Sequence, residues 1–199
     1  MARTVNPESR ERVLNMAERL FNERGYKAVS MRDIANALGI KQASLYYHIP
    51  EGKEQLFVEV MTRSFVRHGD GLRCNIESVE NSLRPELKAI ARWFIAHAPL
   101  GLLGMMQNDL LELEEKSRLH LNGALIQHVW SPIQSVFECA VVRGEAEKLR
   151  AFDLTGAFLS MMDGLTHAGV HGLIPGGMQG SADYMIDTLM DGLLAKSDC

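Results

Sequence analysis

Cysteine is scarce in this chain of 199 residues. Cys74, Cys139 and Cys199 are widely spaced and share no C-x-x-C pattern, which fits a reducing compartment better than a disulfide framework. Long apolar runs are missing too. No stretch approaches the roughly 20 residues of a membrane span, and Met1-Ala2-Arg3-Thr4-Val5-Asn6-Pro7 lacks the apolar segment of a signal peptide. A soluble, cytoplasmic protein with no membrane partner is expected. There is no excess of positive charge: 21 Lys and Arg face 25 Asp and Glu, a net of −4, which argues against indiscriminate coating of nucleic acid. Glycine-rich phosphate loops, a nucleophile elbow and a Cys/His nucleophile pair are absent as well, so neither an enzyme nor a cofactor is expected.

What is present is a chain of 46% hydrophobic residues, enough to bury a core, with an uneven distribution of charge. Through residue 53 nine Lys and Arg stand against six Asp and Glu; beyond it, twelve stand against nineteen. The basic end holds the most informative stretch, residues 30–49, which spells two short helices around a glycine turn. Ser30 with Asp33 is a capping-box start. Ile34, Ala35 and Leu38 follow at helical spacing, and Gly39 suits a helix C-terminus. A second helix over Lys41 to Tyr47 buries Leu45 and leaves Lys41, Gln42, Ser44, Tyr46, Tyr47 and His48 as a face of donors and aromatic hydroxyls suited to phosphates and base edges.

The flanks sharpen this. Upstream, Val13, Leu14, Ala17, Leu20 and Phe21 form one helical stripe that Gly25-Tyr26 ends; downstream, Ile49-Pro50-Glu51-Gly52-Lys53 turns into a new helix. Residues 9–57 resemble the amino-terminal DNA-binding domain of the TetR family of transcriptional regulators. The resemblance rests on Leu20-Phe21-Asn22-Glu23-Arg24-Gly25-Tyr26, Met31-Arg32-Asp33-Ile34-Ala35, Ser44-Leu45-Tyr46-Tyr47-His48 and Lys53-Glu54-Gln55-Leu56. Two departures stand out: Ile49 replaces the family's usual phenylalanine with a turn one residue longer after it, and Gln42 sits where Lys or Arg is common. Glutamine reads adenine rather than guanine.

Beyond Lys53 the pattern is helical, with breaks expected at Gly69-Asp70-Gly71, 82–85, 99–104, 143–147 and 172–180. Leu83 to Ala98 places Leu87, Ile90, Ala91, Phe94, Ile95 and Ala98 on one face, with Pro85 in the first turn. Leu113 to Arg143 is one long helix or two, since Pro132 should kink it. Gly156, Ser160, Gly164, Ala168 and Gly172 recur every four residues, a ridge that lets another helix approach closely. The final helix, Ala182 to Ala195, offers Met185, Ile186, Leu189, Met190, Leu193 and Leu194 as an apolar stripe.

These observations predict an all-α protein of about nine helices. Residues 1–53 would form a helix-turn-helix DNA-binding domain and residues 54–199 a larger helical domain for effector binding and dimerisation. The resemblance implies a homodimer held by the last two helices, here through Gly156, Ser160, Gly164, Ala168, Met185, Ile186, Leu189, Met190 and Leu193. It also implies a small-molecule pocket, with Trp93, Phe94, His97, Leu103, Met105, Met106, Leu110, Trp130, Phe137, Phe158, Met162 and His167 as candidate residues and a small hydrophobic or aromatic effector. Double-stranded operator DNA would be met by Lys41, Gln42, Ala43, Ser44 and Tyr47 in the major groove, with Gln42 and Tyr47 reading bases. Ser30, Ser44, Tyr46, His48 and Lys53 would hold phosphates. Gly69 and Gly71 are a candidate hinge.

Ordinary readings stand beside these. The aromatic and methionine residues also fit plain core, and Glu112, Glu114 and Glu115 with Lys116 and Arg118 read as a solvated helix face. His167 and His171, four apart with Asp163 a turn before, present the spacing of two metal ligands but lack a third of fixed geometry; no metal is expected. A constitutive DNA-binding or activating protein without a ligand, and a helical metal protein or enzyme using His167 and His171, are the alternatives.

Overall fold

The computed structural model describes residues 7–97, 105–146 and 148–194 and is all-helical, with no strand among the described residues. In order come α1 (Pro7–Ala28), α2 (Met31–Leu38), α3 (Gln42–His48), α4 (Lys53–Glu77) and α5 (Leu83–Ala96). A π turn (Met105–Asp109) and a 3-10 turn (Leu110–Glu112) precede α6 (Glu115–Leu125). A second π turn (Ile126–Trp130) leads into α7 (Ser131–Val142), and α8 (Ala151–Val170) and α9 (Met178–Leu194) follow. Among the described residues no helix is long and apolar enough to cross a membrane.

Two compact units result, one from the residues up to Phe65 with 102–124, the other from 66–101 with the residues from Leu125 on. In the first, the α1 stripe of Val13, Leu14, Ala17, Leu20 and Phe21 is buried with Ile34, Ala35, Leu45, Leu56 and Phe57. Each large member contributes about 1.5–3 kcal/mol by leaving water. Phe21 meets Phe57 edge-on at 5.1 Å, and Tyr26 lies 4.9 Å from the same Phe57 ring.

In the second unit α5 packs on α9 and α7 on α8, around Leu87, Ile90, Phe94, Ile133, Phe137, Phe158, Met162, Ile186 and Met190. Arg84 reaches Asp187 and Asp191 at 2.6 Å each, tying α5 to α9. Arg143 joins buried Glu86 at 2.8 Å and also Glu145.

Several expected breaks take another form. α4 runs unbroken through Gly69 and Gly71. A Cβ at Gly71 would stand 2.0 Å from the Trp93 indole and one at Gly69 2.5 Å from the His128 carbonyl, so close approach, not flexibility, accounts for both glycines. From Glu115 to Val142 two α-helices are joined through a π turn. Pro132 has no N–H and its ring would collide with the carbonyl four residues back; the chain answers with a π turn, in which Ser131 N–H donates to Ile126, five residues back. The last helix starts at Met178, four residues before the expected Ala182. The break expected at 99–104 lies outside the described residues.

Candidate nucleic-acid interface

Ser30 and Asp33 form the expected capping box: Ser30 Oγ accepts from Asp33 N at 3.2 Å, and Asp33 accepts from Ser30 N at 2.8 Å. The hydrogen bonds from Ser30 hold the Asp33 carboxyl below its usual range. α2 ends at Gly39, whose φ of 69° lies in the left-handed region. The N–H of Ile40 then closes back on the Ala35 carbonyl at 3.0 Å, the arrangement that turns one helix sharply into the next.

α3 begins after Lys41, which gives no side-chain cap. Its Leu45 is fully buried, and Ile49 behind it is 3% exposed, so Ile49 fills the core where the resemblance has phenylalanine. That anchoring leaves Lys41, Gln42, Ala43, Ser44, Tyr46 and Tyr47 exposed together. His48 is half-buried, its ring 5.5 Å from that of Tyr47, and its Nδ1 has no hydrogen-bond partner among the described residues.

Two expected phosphate ligands are engaged elsewhere. Ser30 Oγ is turned to Asp33. Lys53, half-buried at the start of α4, places its ammonium 4.0 Å over the Tyr26 ring. Burial lowers its pKa, while Asp109 and Glu112 oppose that shift. Sequence reading missed Asp109 and Glu112 as neighbours of this face, since more than 80 residues separate them from Tyr26 and Lys27. Glu112, expected on a solvated face, is an ion-pair partner of Lys27 at 2.9 Å.

The candidate effector residues divide between the two units. Met105 and Leu110 are buried in the first. In the second, Phe94, Phe137, Phe158 and Met162 are buried, and Trp93, His97 and Trp130 half-buried. Trp93 stacks on His97 and donates its indole N–H to His68 Nδ1 at 3.2 Å. His68 is a core residue that sequence reading passed over, its pKa lowered to about 4, chiefly by burial. His167, also named as a pocket candidate, is exposed, its ring 4.6 Å from that of His171. No group of three His, Cys, Asp or Glu gathers to hold a metal among the described residues. Leu103 and the side chains of Met106 and Leu193 lie outside the described residues.

The expected dimer residues also separate. Ile186 and Met190 are buried inside the single chain, at 0% and 2% exposure, which removes them from a surface stripe. Gly156 lies under the Trp130 ring within the same chain. Ala168 is half-buried, whereas Ser160, Gly164, Met185 and Leu189 are exposed, with open space above Gly164.

A capped helix, a left-handed glycine turn and a short helix anchored by one buried leucine, with its polar face outward, define a helix-turn-helix protein. Residues 13–60 match the family model of bacterial regulatory proteins, tetR family. The chain is similar to the HTH-type transcriptional regulator LmrA of Bacillus subtilis, 44% identical over 54 residues, covering 27% of this chain and 29% of that protein. It is likewise similar to the HTH-type transcriptional repressor KstR2 of Mycolicibacterium smegmatis, 44% identical over 52 residues, covering 26% and 25%. These matches span less than a third of either relative's length. Over nearly the whole chain the fold is similar to that of AibR, solved in complex with isovaleryl coenzyme A and operator DNA. There the TM-score is 0.70 at 21% identity, covering 93% of this chain and 97% of that one. Residues 13–60 thus form a domain of the kind that opens the bacterial regulatory proteins of the tetR family.

Proposed function

We propose that this protein is a dimeric transcriptional repressor that leaves its operator when a small hydrophobic or aromatic effector binds. In this reading residues 1–53 serve DNA binding, and residues 54–199 effector binding and dimerisation. The observation that carries it is the α3 surface, where burial of Leu45 turns Lys41, Gln42, Ala43, Ser44, Tyr46 and Tyr47 outward together. Gln42 and Tyr47 read base edges. Lys41, Ser44, Tyr46 and His48 hold phosphates, fixing register without reading sequence. The names of KstR2 and AibR, a repressor and a protein solved with both a coenzyme A thioester and operator DNA, support the repressor and effector halves of the reading.

A homodimer through α8 and α9 sets two α3 helices about one DNA turn apart to read a two-fold site. Ser160, Gly164, Met185 and Leu189, exposed on those helices, are its contact residues. The effector binds among the aromatic residues of the second unit, Trp93, Phe94, His97, Trp130, Phe137 and Phe158, with Met162. It weakens DNA binding only by its preference for a dimer geometry whose α3 helices are wrongly spaced.

The test is selection of bound fragments from pooled genomic DNA at fixed salt, comparing wild type with Tyr47→Ala plus Gln42→Ala. A short two-fold motif enriched by wild type alone is expected. Failure of both proteins to enrich any sequence overturns the reading.

A further inference from the structure

Within six residues, the segment that opens with the π turn at Met105 makes three polar contacts to the ends of α1 and α4, the two helices that flank the helix-turn-helix. Asp109 Oδ1 accepts the Tyr26 N–H at 2.9 Å, Glu112 pairs with Lys27 at 2.9 Å, and the Glu114 N–H donates to Glu54 at 3.1 Å. Gly25, with φ of 77°, admits this approach: a Cβ there would stand 3.3 Å from the Asp109 carboxylate. Lys53 lies over the Tyr26 ring at the same place, and Asp109 and Glu112 both stabilise its charge. An ammonium on a tyrosine face beside carboxylates gains from both and is partly desolvated.

We propose that Asp109 and Glu112 compete with the DNA backbone for Lys53, so that seating of residues 105–112 on the ends of α1 and α4 subtracts one phosphate contact per protomer. This rests on the DNA-binding reading above and names the residues through which that binding is regulated. An effector that stabilises the seated segment lowers affinity for any DNA sequence. One that unseats it adds a cation to the DNA face.

The experiment measures affinity by fluorescence anisotropy for a labelled duplex carrying the site selected by wild type, at salt between about 50 and 200 mM, where each phosphate contact steepens the salt slope by about 0.9. Asp109→Asn keeps an acceptor for the Tyr26 N–H and removes only the charge. It is expected to bind about threefold more tightly at low salt, the scale of one exposed ion pair, with the steeper slope. Lys53→Gln in the same chain abolishes both effects. Glu112→Gln moves affinity and slope the same way; because Glu112 also pairs with Lys27, it carries the test, if circular dichroism shows Asp109→Asn misfolded, through the loss of both effects when Lys53→Gln is added.

An unchanged slope overturns the proposal. So does a gain that persists in the Asp109→Asn, Lys53→Gln double variant, which marks a long-range charge effect. Wild-type protein that binds no duplex at all instead overturns the DNA-binding reading, a result distinct from either.

Discussion

Ser30 illustrates how one side chain sets a helix start: its hydroxyl and the Asp33 carboxylate satisfy two backbone N–H groups that α2 would otherwise leave unpaired. Ser30→Ala should cost about 1 kcal/mol in urea denaturation, the usual value of such a cap, and should weaken DNA binding with it. His68 makes a second prediction, in pH. Its folded pKa of about 4 lies below the ordinary 6.5 because the ring is buried among Trp93, Phe94 and His97, with Arg67 and His97 adding smaller repulsion. Between those values the unfolded chain binds the extra proton, so stability is fully present above pH 6.5 and is lost as pH falls toward 4. The loss is about 1.4 kcal/mol per pH unit. Denaturation of wild type and His68→Gln at pH 7 and pH 5 checks this: the wild type should lose roughly 2 kcal/mol more than the variant.

At the scale of elements, glycines of identical composition do different work. Gly71 sits beneath the Trp93 ring and Gly69 beneath the His128 carbonyl, so Gly71→Ala should destabilise by about 1–3 kcal/mol through overpacking despite alanine's better helix propensity. Gly164 has open space above it. Gly164→Ala should therefore stabilise the single chain by up to about 1 kcal/mol, readable as a higher melting temperature at dilution. In the sequence Gly69 and Gly71 read as a break and Gly164 as part of a close-packing ridge, the reverse of the space each has in the fold. What separates them is whether a neighbouring ring or carbonyl occupies the space, and the partners Trp93 and His128 lie 22 and 59 positions away.

For the whole molecule, dimerisation is the property on which a two-fold operator depends. Gly164→Arg places a charged side chain on the exposed ridge of α8, in the middle of the proposed contact. Sedimentation should show a wild-type dimer and a variant shifted toward monomer, with operator affinity falling in parallel; a variant that remains dimeric at micromolar concentration places the interface elsewhere. Ile186 and Met190 are unsuitable for this test, because they fill the core of the single chain and their loss would unfold it.

The helix-turn-helix was legible from residue order because its determinants are local. A cap and its partner lie three residues apart, the turn needs one left-handed glycine, and Leu45 is flanked by polar neighbours within a single helical turn. That Pro132 would interrupt the regular α-helix was legible for the same reason, though not the form of the interruption as a π turn. Tertiary structure alone decided which apolar residues face inward: Ile186 and Met190 share the apolar stripe of α9 with Leu189, and packing against α5 and α8 buries the first two while leaving Leu189 exposed. It also decided where charges meet across long sequence separations, as in Lys53 over Tyr26 beside Asp109. Helix propensity and capping act within a turn or two of the chain, whereas burial and ion pairing depend on which distant segments fold together.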